Sequence, residues 1–546
     1  MKFHSILMCL ALCLGAGFSE ARVGEQVFSR ADSLRGTLSP LRSCYNVLHY
    51  AIDIRLLSLE GQPDAKGDTL FPIQGSVVFR IQQLQDYQRL QIDLFDRFQI
   101  DSIVYANKQL AYNREAHAVF VDFGKTMTQG DTTSFKVYYQ GPLIRAKNAP
   151  WDGGFVFSRD AQNRPWIGVA CEGLGASSWW PCKDHLSDEP DQGISLRVAF
   201  PEQYELLAVA NGRLKSTGQN AGFRYFDWEV VSPINSYNVS IYIGSFAKLS
   251  MPYRLSNGQT ESLDHYVLDY NRSKAEKHFA QIGPMLDCFE QLFGPYAFWV
   301  DGFKLVESPY WGMEHQSAIA YGNNYRNNRW GFDFIIIHES GHEWWGNAVS
   351  VAEHADMWIH EGFTTYSETL YLECQGDSLK ARQYLDGQRK LIRNAHPLVG
   401  PYGVNYQHKD TDIYYKGAWM LHSFRKSLED EQQFYQWLRE CYAAFSGKQI
   451  QTAEMLEFWL SRMGESYRSS WEHYLYTTHL PVLAWRKGAD GKIEIRWEQC
   501  HASFYLPMQL ASGQWVIPTH NWQALSIEVD FEYLQQKCLI EIAEGN

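Results

Sequence analysis

Phe334-Ile-Ile-Ile-His338-Glu339-Ser-Gly-His342-Glu-Trp-Trp-Gly346 is the stretch from which the rest of the chain can be read. Asp333 ahead of it suits an N-cap and Gly346 a C′ residue, so the segment predicts a three-turn helix. At i and i+4 the imidazoles of His338 and His342 leave one face a turn apart, which lets both reach a single Zn²⁺. Glu339, next to the first imidazole, points across the open side of such a metal. There it can take a proton from the attacking water.

A catalytic zinc needs a third protein ligand and one open position. Glu361 follows His342 after eighteen intervening residues, within Asp356-Met-Trp-Ile-His-Glu361-Gly-Phe-Thr-Thr-Tyr-Ser-Glu368. Trp358, Tyr366 and Leu370 give that stretch a helical core face, and a short crossing through 347–355 can lay it beside the first helix. His354 and His360 lie close by, but three ligands already suffice. Asp356 and Glu368 are both candidates to orient a ligand imidazole, and the sequence does not choose between them.

Outward from this site, the chain divides by periodicity. Leu48, Tyr50, Ile52, Ile54 and Leu56 alternate with mostly polar neighbours, as do Leu90, Ile92 and Leu94, and then Tyr237, Val239, Ile241 and Ile243, which predicts an all-β domain over 44–249. Phe279, Ile282, Leu286, Phe289 and Phe293 follow helical spacing up to Gly294-Pro295, and a mixed α/β and helical domain is expected over 250–478. Short strands near 492–497 and 515–518 predict a small β module over 479–546. The fold class is therefore multidomain α+β.

Composition sets the outer limits. With 546 residues, 45% hydrophobic and 20% charged, the chain is globular and too long for one core. The net charge of 49 − 62 = −13 speaks against a nucleic-acid surface and favours cationic ligands such as a peptide's free amino end. Lys2 and His4 before the apolar run Ile6 to Leu14, with Ser19-Glu20-Ala21 after it, read as a signal peptide over 1–21, followed by a lead segment over 22–43. Export to the periplasm or the outside is the expectation. A lipoprotein site at Cys9 or Cys13 is disfavoured by bulky Met8 and Leu12, and no later run approaches a membrane span. Of the remaining cysteines, no pair has Cys-x-x-Cys spacing; at this density they read as buried thiols with one bridge at most.

These motifs resemble the gluzincin aminopeptidases related to aminopeptidase N and leukotriene hydrolase. His-Glu-x-x-His-x-Trp-Trp-Gly-Asn347 and Trp358-Ile-His-Glu-Gly-Phe363 match that family's metal-binding stretches, and further segments agree in order over about residues 44–480. Pro309-Tyr-Trp-Gly-Met-Glu-His315 stands where the family has Gly-x-Met-Glu-Asn. The resemblance implies that Glu314 binds the substrate's α-ammonium while the backbone at Trp311 and Gly312 lies along the peptide. Trp311 replaces a small residue, which is expected to narrow the first pocket, and His315 replaces Asn. In Ala170-Cys-Glu172-Gly-Leu-Gly, Glu172 matches the second amine-binding side chain, and in Tyr414-Tyr-Lys-Gly417 the first tyrosine matches the oxyanion donor. Lys416 is read as structural.

The resemblance thus implies a thermolysin-like catalytic domain, one Zn²⁺ held by His338, His342 and Glu361, catalysis by Glu339 and Tyr414, and peptide substrates with a free amino terminus. The family often closes its site with a long helical C-terminal domain. The seventy residues here are too few for it, so a more open cleft, or one covered by another subunit, is expected. Three rival readings stand beside an aminopeptidase: a thermolysin-like endopeptidase, an epoxide hydrolase activity of the leukotriene branch, and an inactive peptide-binding protein. Oligomeric state is not legible.

Overall fold

The computed structural model describes residues 27–64 and 66–545; the predicted signal peptide lies outside them. Within the predicted lead segment, helix α1 (Arg30–Gly36) is capped by Ser29, whose side chain accepts from the Asp32 amide.

The β-rich part is built around an eight-stranded sheet. Its order is 213–220, 223–230, 194–201, 45–56, 72–83, 132–142, 99–105 and 108–109. Neighbours are antiparallel except 45–56 with 194–201, which run parallel. In strand Tyr45–Leu56, Tyr50, Ile52, Ile54 and Leu56 are buried as the alternation predicts. Leu48 is only half-buried because the pairing shifts between Val47 and His49. A four-stranded sheet (154–159, 165–170, 241–244, 207–210) leads toward the cleft.

The reading of 237–243 as one alternating strand is corrected here. Ser236–Asn238 form a 3₁₀ turn, with the Asn235 side chain accepting from the Tyr237 amide. Only Ile241–Gly244 extends, buried on both faces. Alternation fails where both faces are covered, since nothing is left to face water.

A five-stranded sheet (246–254, 260–268, 305–307, 319–321, 312–313) opens the mixed part of the chain. Its last member, β1 (Gly312–Met313), is an edge strand and carries the residues just before Glu314. Three helices then frame the site: α2 (Phe334–Gly341), α3 (Trp358–Cys374) and α4 (Asp412–Lys426). A disulfide joins Cys288 to Cys374 at the end of α3; of the other described cysteines, all but the half-buried Cys500 are buried thiols. Residues 482–487, 493–498, 523–525 and 541–544 make a C-terminal four-stranded sheet. The C-terminal segment docks through Arg389, which donates to the Cys538 and Ile540 carbonyls at 3.0 and 2.6 Å. Among the described residues, no helix is long and apolar enough to cross a membrane.

Candidate active site

Asp333 caps α2, accepting from the amides of Ile335 and Ile336. The regular helix is shorter than three turns, ending at Gly341. Beyond it the bonds tighten to i→i+3 and then widen to i→i+5, with the Asn347 amide reaching the His342 carbonyl at 2.8 Å. Gly346, at φ 148°, closes this wide turn. The consequence is useful: the Trp345 carbonyl folds back and accepts from His342 Nδ1 at 3.0 Å.

His338 Nδ1 donates to Glu368 Oε1 at 2.6 Å, which settles the choice between Glu368 and Asp356. Glu368 is itself held by the Tyr384 hydroxyl and by Gln388. Asp356 instead accepts from Tyr402 and Thr452. Because a carboxylate and a carbonyl only accept, both Nδ1 atoms carry protons and both Nε2 atoms present lone pairs.

Those two Nε2 atoms lie 3.2 Å apart, and each is 3.4 Å from Glu361 Oε2. Bonds of about 2.0–2.1 Å at a tetrahedral angle need ligand separations of roughly 3.3 Å. Three lone-pair donors in such a triangle repel one another unless a cation sits between them, and Glu361 Oε2 is buried with no hydrogen-bond partner. The donor set therefore fits Zn²⁺. His360 Nε2 accepts from the Val351 amide at 3.1 Å and stays out of the triangle.

Glu339 is buried and lies against β1: a methyl group placed on Gly312 would come within 2.5 Å of Glu339 Oε1. Glycine at this position is what lets the edge strand pass the carboxylate. Burial pushes the Glu339 carboxyl up to about 7, with the imidazoles opposing. α3 and α4 cross where Gly362 meets Gly417, whose Cα atom is so close that side chains on both would collide. This close crossing brings half-buried Tyr414 beside the triad, its ring stacked 6.1 Å from that of His338. Lys416 donates to the Thr477 carbonyl instead, as a structural group.

Glu314 is buried, and the Tyr237 hydroxyl donates to its Oε1 at 2.9 Å. Its carboxylate, Glu339 and His342 each offer an atom within 4.8 Å of the others. Removal from water pushes both the Glu172 and Glu314 carboxyls up, and the charge of Glu314 adds to the push on Glu172. His315, at the departure from the family motif, is buried, and its Nδ1 meets the Tyr242 hydroxyl at 2.6 Å. Trp311 does not turn inward to narrow the pocket. It is 45% exposed, and its indole donates to Asn323 Oδ1 at 3.2 Å.

The end of the cleft beyond Glu172 is walled by parts of the chain that the sequence did not single out. Arg35, Gly36, Val404 and Asn405 line a cavity together with Glu172 and Tyr237. Gln407 donates to the Gly173 carbonyl at 2.7 Å and Thr37 to the Gly403 carbonyl at 2.7 Å. The lead segment thus supplies one wall of that cavity.

A two-helix site with this ligand triangle, its base and its edge strand has the layout of the gluzincin zinc peptidases. Residues 307–474 match the peptidase family M1 domain. Leucine aminopeptidase 2 of Lodderomyces elongisporus is 26% identical over 250 residues, 44% of this chain and 36% of that protein. Aminopeptidase B of Rattus norvegicus is 25% identical over 320 residues, 56% of this chain and 47% of that protein. The matched region thus spans less than half the length of these curated relatives. Among solved structures, an M1 zinc metallopeptidase from Deinococcus radiodurans shares the fold at TM-score 0.67 and 20% identity, covering 80% of this chain and 94% of that one. Native yeast LTA4 hydrolase does so at TM-score 0.66 and 18% identity, covering 84% and 71%. Residues 307–474 therefore carry an M1 peptidase domain, and Zn²⁺ is the cofactor that its donor set fits.

Proposed function

We propose that this protein is a zinc-dependent aminopeptidase that releases single amino acids from the free amino end of peptides. The observation that carries the reading is the pair Glu314 and Glu172. Glu314 lies within 4.8 Å of Glu339 and His342 and is fixed by Tyr237, Glu172 lines the neighbouring cavity with the same Tyr237, and loss of water pushes both carboxyls up. A substrate α-ammonium held by both carboxylates would place the first peptide bond at the metal.

Zinc held by His338, His342 and Glu361 would supply a Lewis acid that polarises the scissile carbonyl and acidifies water. Glu339 accepts the proton of the attacking water and returns it to the leaving amine. The Tyr414 hydroxyl donates to the oxygen as negative charge develops on it. Glu368 and the Trp345 carbonyl keep both ligand imidazoles in the tautomer with free Nε2. Tyr237 fixes the Glu314 carboxylate, while the backbone of Trp311 and Gly312, on the edge strand, pairs with the extended peptide.

The test pairs one peptide with its N-acetylated twin, with chelator-treated protein as control and products followed by mass spectrometry. Stepwise shortening of the free peptide alone, dependent on metal, is expected. In Glu314→Ala, kcat/KM for the free peptide should fall about 10²-fold or more, since one partner of a buried charge pair is gone. Undiminished discrimination against the acetylated twin in that variant would refute the amine-binding role. Internal cleavage of both peptides by the parent protein would favour an endopeptidase.

Export through a cleaved signal peptide belongs to the same reading, supported by the Cys288–Cys374 disulfide, which persists in oxidising compartments. N-terminal sequencing of the protein from its native cells should find a first residue near Arg22; a chain beginning at Met1 would overturn this.

A further inference from the structure

Two large exposed side chains at the mouth of the cleft have no part in the chemistry above. Trp151 is 64% exposed and Trp311 45%, and their rings lie 6.4 Å apart. Behind them, Trp311 is 5.5 Å from Phe334, and Phe334 stacks on the ligand His338 at 5.1 Å. Four rings thus run in a row from solvent to the metal site.

The outer two are held in place. The Trp311 indole is tied to Asn323, which in turn donates to Asp333, the cap of the metal-binding helix. Trp151 rides on a tight turn in which the Asp152 carboxylate accepts from the Lys147 and Asn148 amides at 2.6 and 2.9 Å. A pair of exposed tryptophans, fixed side by side at a cleft mouth, is a site for another apolar group to cover.

The order of residues along the edge strand says which group. Glu314 marks the amino end of the substrate. Gly312 lies against Glu339, which marks the bond to be cut. Trp311 comes one residue beyond Gly312, on the side away from Glu314, where the leaving part of the peptide must lie. We propose that Trp311 and Trp151 form an aromatic subsite for the leaving peptide, so that the enzyme selects substrates with an aromatic side chain at the second or third residue. The assignment of that direction rests on the aminopeptidase reading.

The experiment measures kcat/KM on matched tetrapeptides, Leu-Ala-Ala-Gly, Leu-Phe-Ala-Gly and Leu-Ala-Phe-Gly, each free and N-acetylated. The parent protein should prefer one of the Phe peptides over the Ala peptide by about tenfold, the size of one aromatic contact with its buried area. Trp151→Ala and Trp311→Ala should each shrink that ratio severalfold, and Trp151→Phe should restore most of it. A merely structural role would lower all peptides together and leave the ratio unchanged. A ratio near one in the parent, or one that both alanine variants retain, overturns the subsite. If acetylated peptides are cut with the same Phe preference, lost in Trp151→Ala, the subsite stands and the amine-binding reading is what fails.

Discussion

Glu339→Gln is expected to keep one zinc per chain and to lower kcat by about 10²- to 10⁴-fold. Glutamine has the same shape, so it fits beside Gly312, where the space is already tight. It cannot accept the proton of the attacking water, and the neighbouring carboxylates are engaged elsewhere. Glu361 is committed to the metal triangle and Glu368 to His338. Glu314 is within 4.8 Å but is tied to Tyr237, and in the proposed function it is taken up by the substrate amine. The measurement is turnover at saturating peptide, with metal content determined by atomic absorption on the same sample. Turnover within a few-fold of the parent, with zinc retained, would remove Glu339 as the base.

Glu361→Ala is expected to lose stoichiometric zinc on dialysis and, with it, activity by at least about 10³-fold, because a Lewis acid worth several kcal/mol goes too. The triangle is reduced to two imidazoles, and the hole left by the side chain sits in the first turn of α3, a helix whose residues are almost all buried. Circular dichroism should show that the helices persist, since their packing rests on apolar contacts elsewhere. The two substitutions separate cleanly: one keeps metal and loses chemistry, the other loses metal first. Full zinc occupancy in Glu361→Ala would mean that the third ligand is another group.

The ligand spacing was legible because it obeys local geometry. His338 and His342 share a face through the helix repeat, and Glu361 follows on a helix with its own apolar stripe. The same rule offered more than the reading took from it. Glu368 lies seven residues after Glu361, two turns along the same helix, and that alone favours it over Asp356, which sits before the helix begins. Gly362 and Gly417, each inside a helix, likewise signal a close crossing.

Other features had no local signature. Tyr237 reaches Glu314 from a turn set by the Asn235 cap, yet its sequence neighbourhood alternates like a strand. Trp311 faces outward because an edge strand and Asn323 dictate it, which no pattern of neighbours encodes. The wall made by the lead segment depends on pairings between residues far apart in the chain, such as Thr37 with Gly403 and Asp32 with Asn405.

The disulfide between Cys288 and Cys374 has a topological meaning. Glu314, His338, Glu339, His342, Glu361 and Glu368 all fall between its two ends, so the metal triangle and the proposed base and amine-binding group are strung on a single covalent loop. Closing a loop whose ends are 86 residues apart removes about 4–5 kcal/mol of chain entropy from the unfolded state on the chain-entropy view. Thermal opening at either terminus can therefore peel away the β-rich part or the last sheet without scattering the ligand set. A metal lost during such an excursion would find its three donors still tethered to one another when it returned.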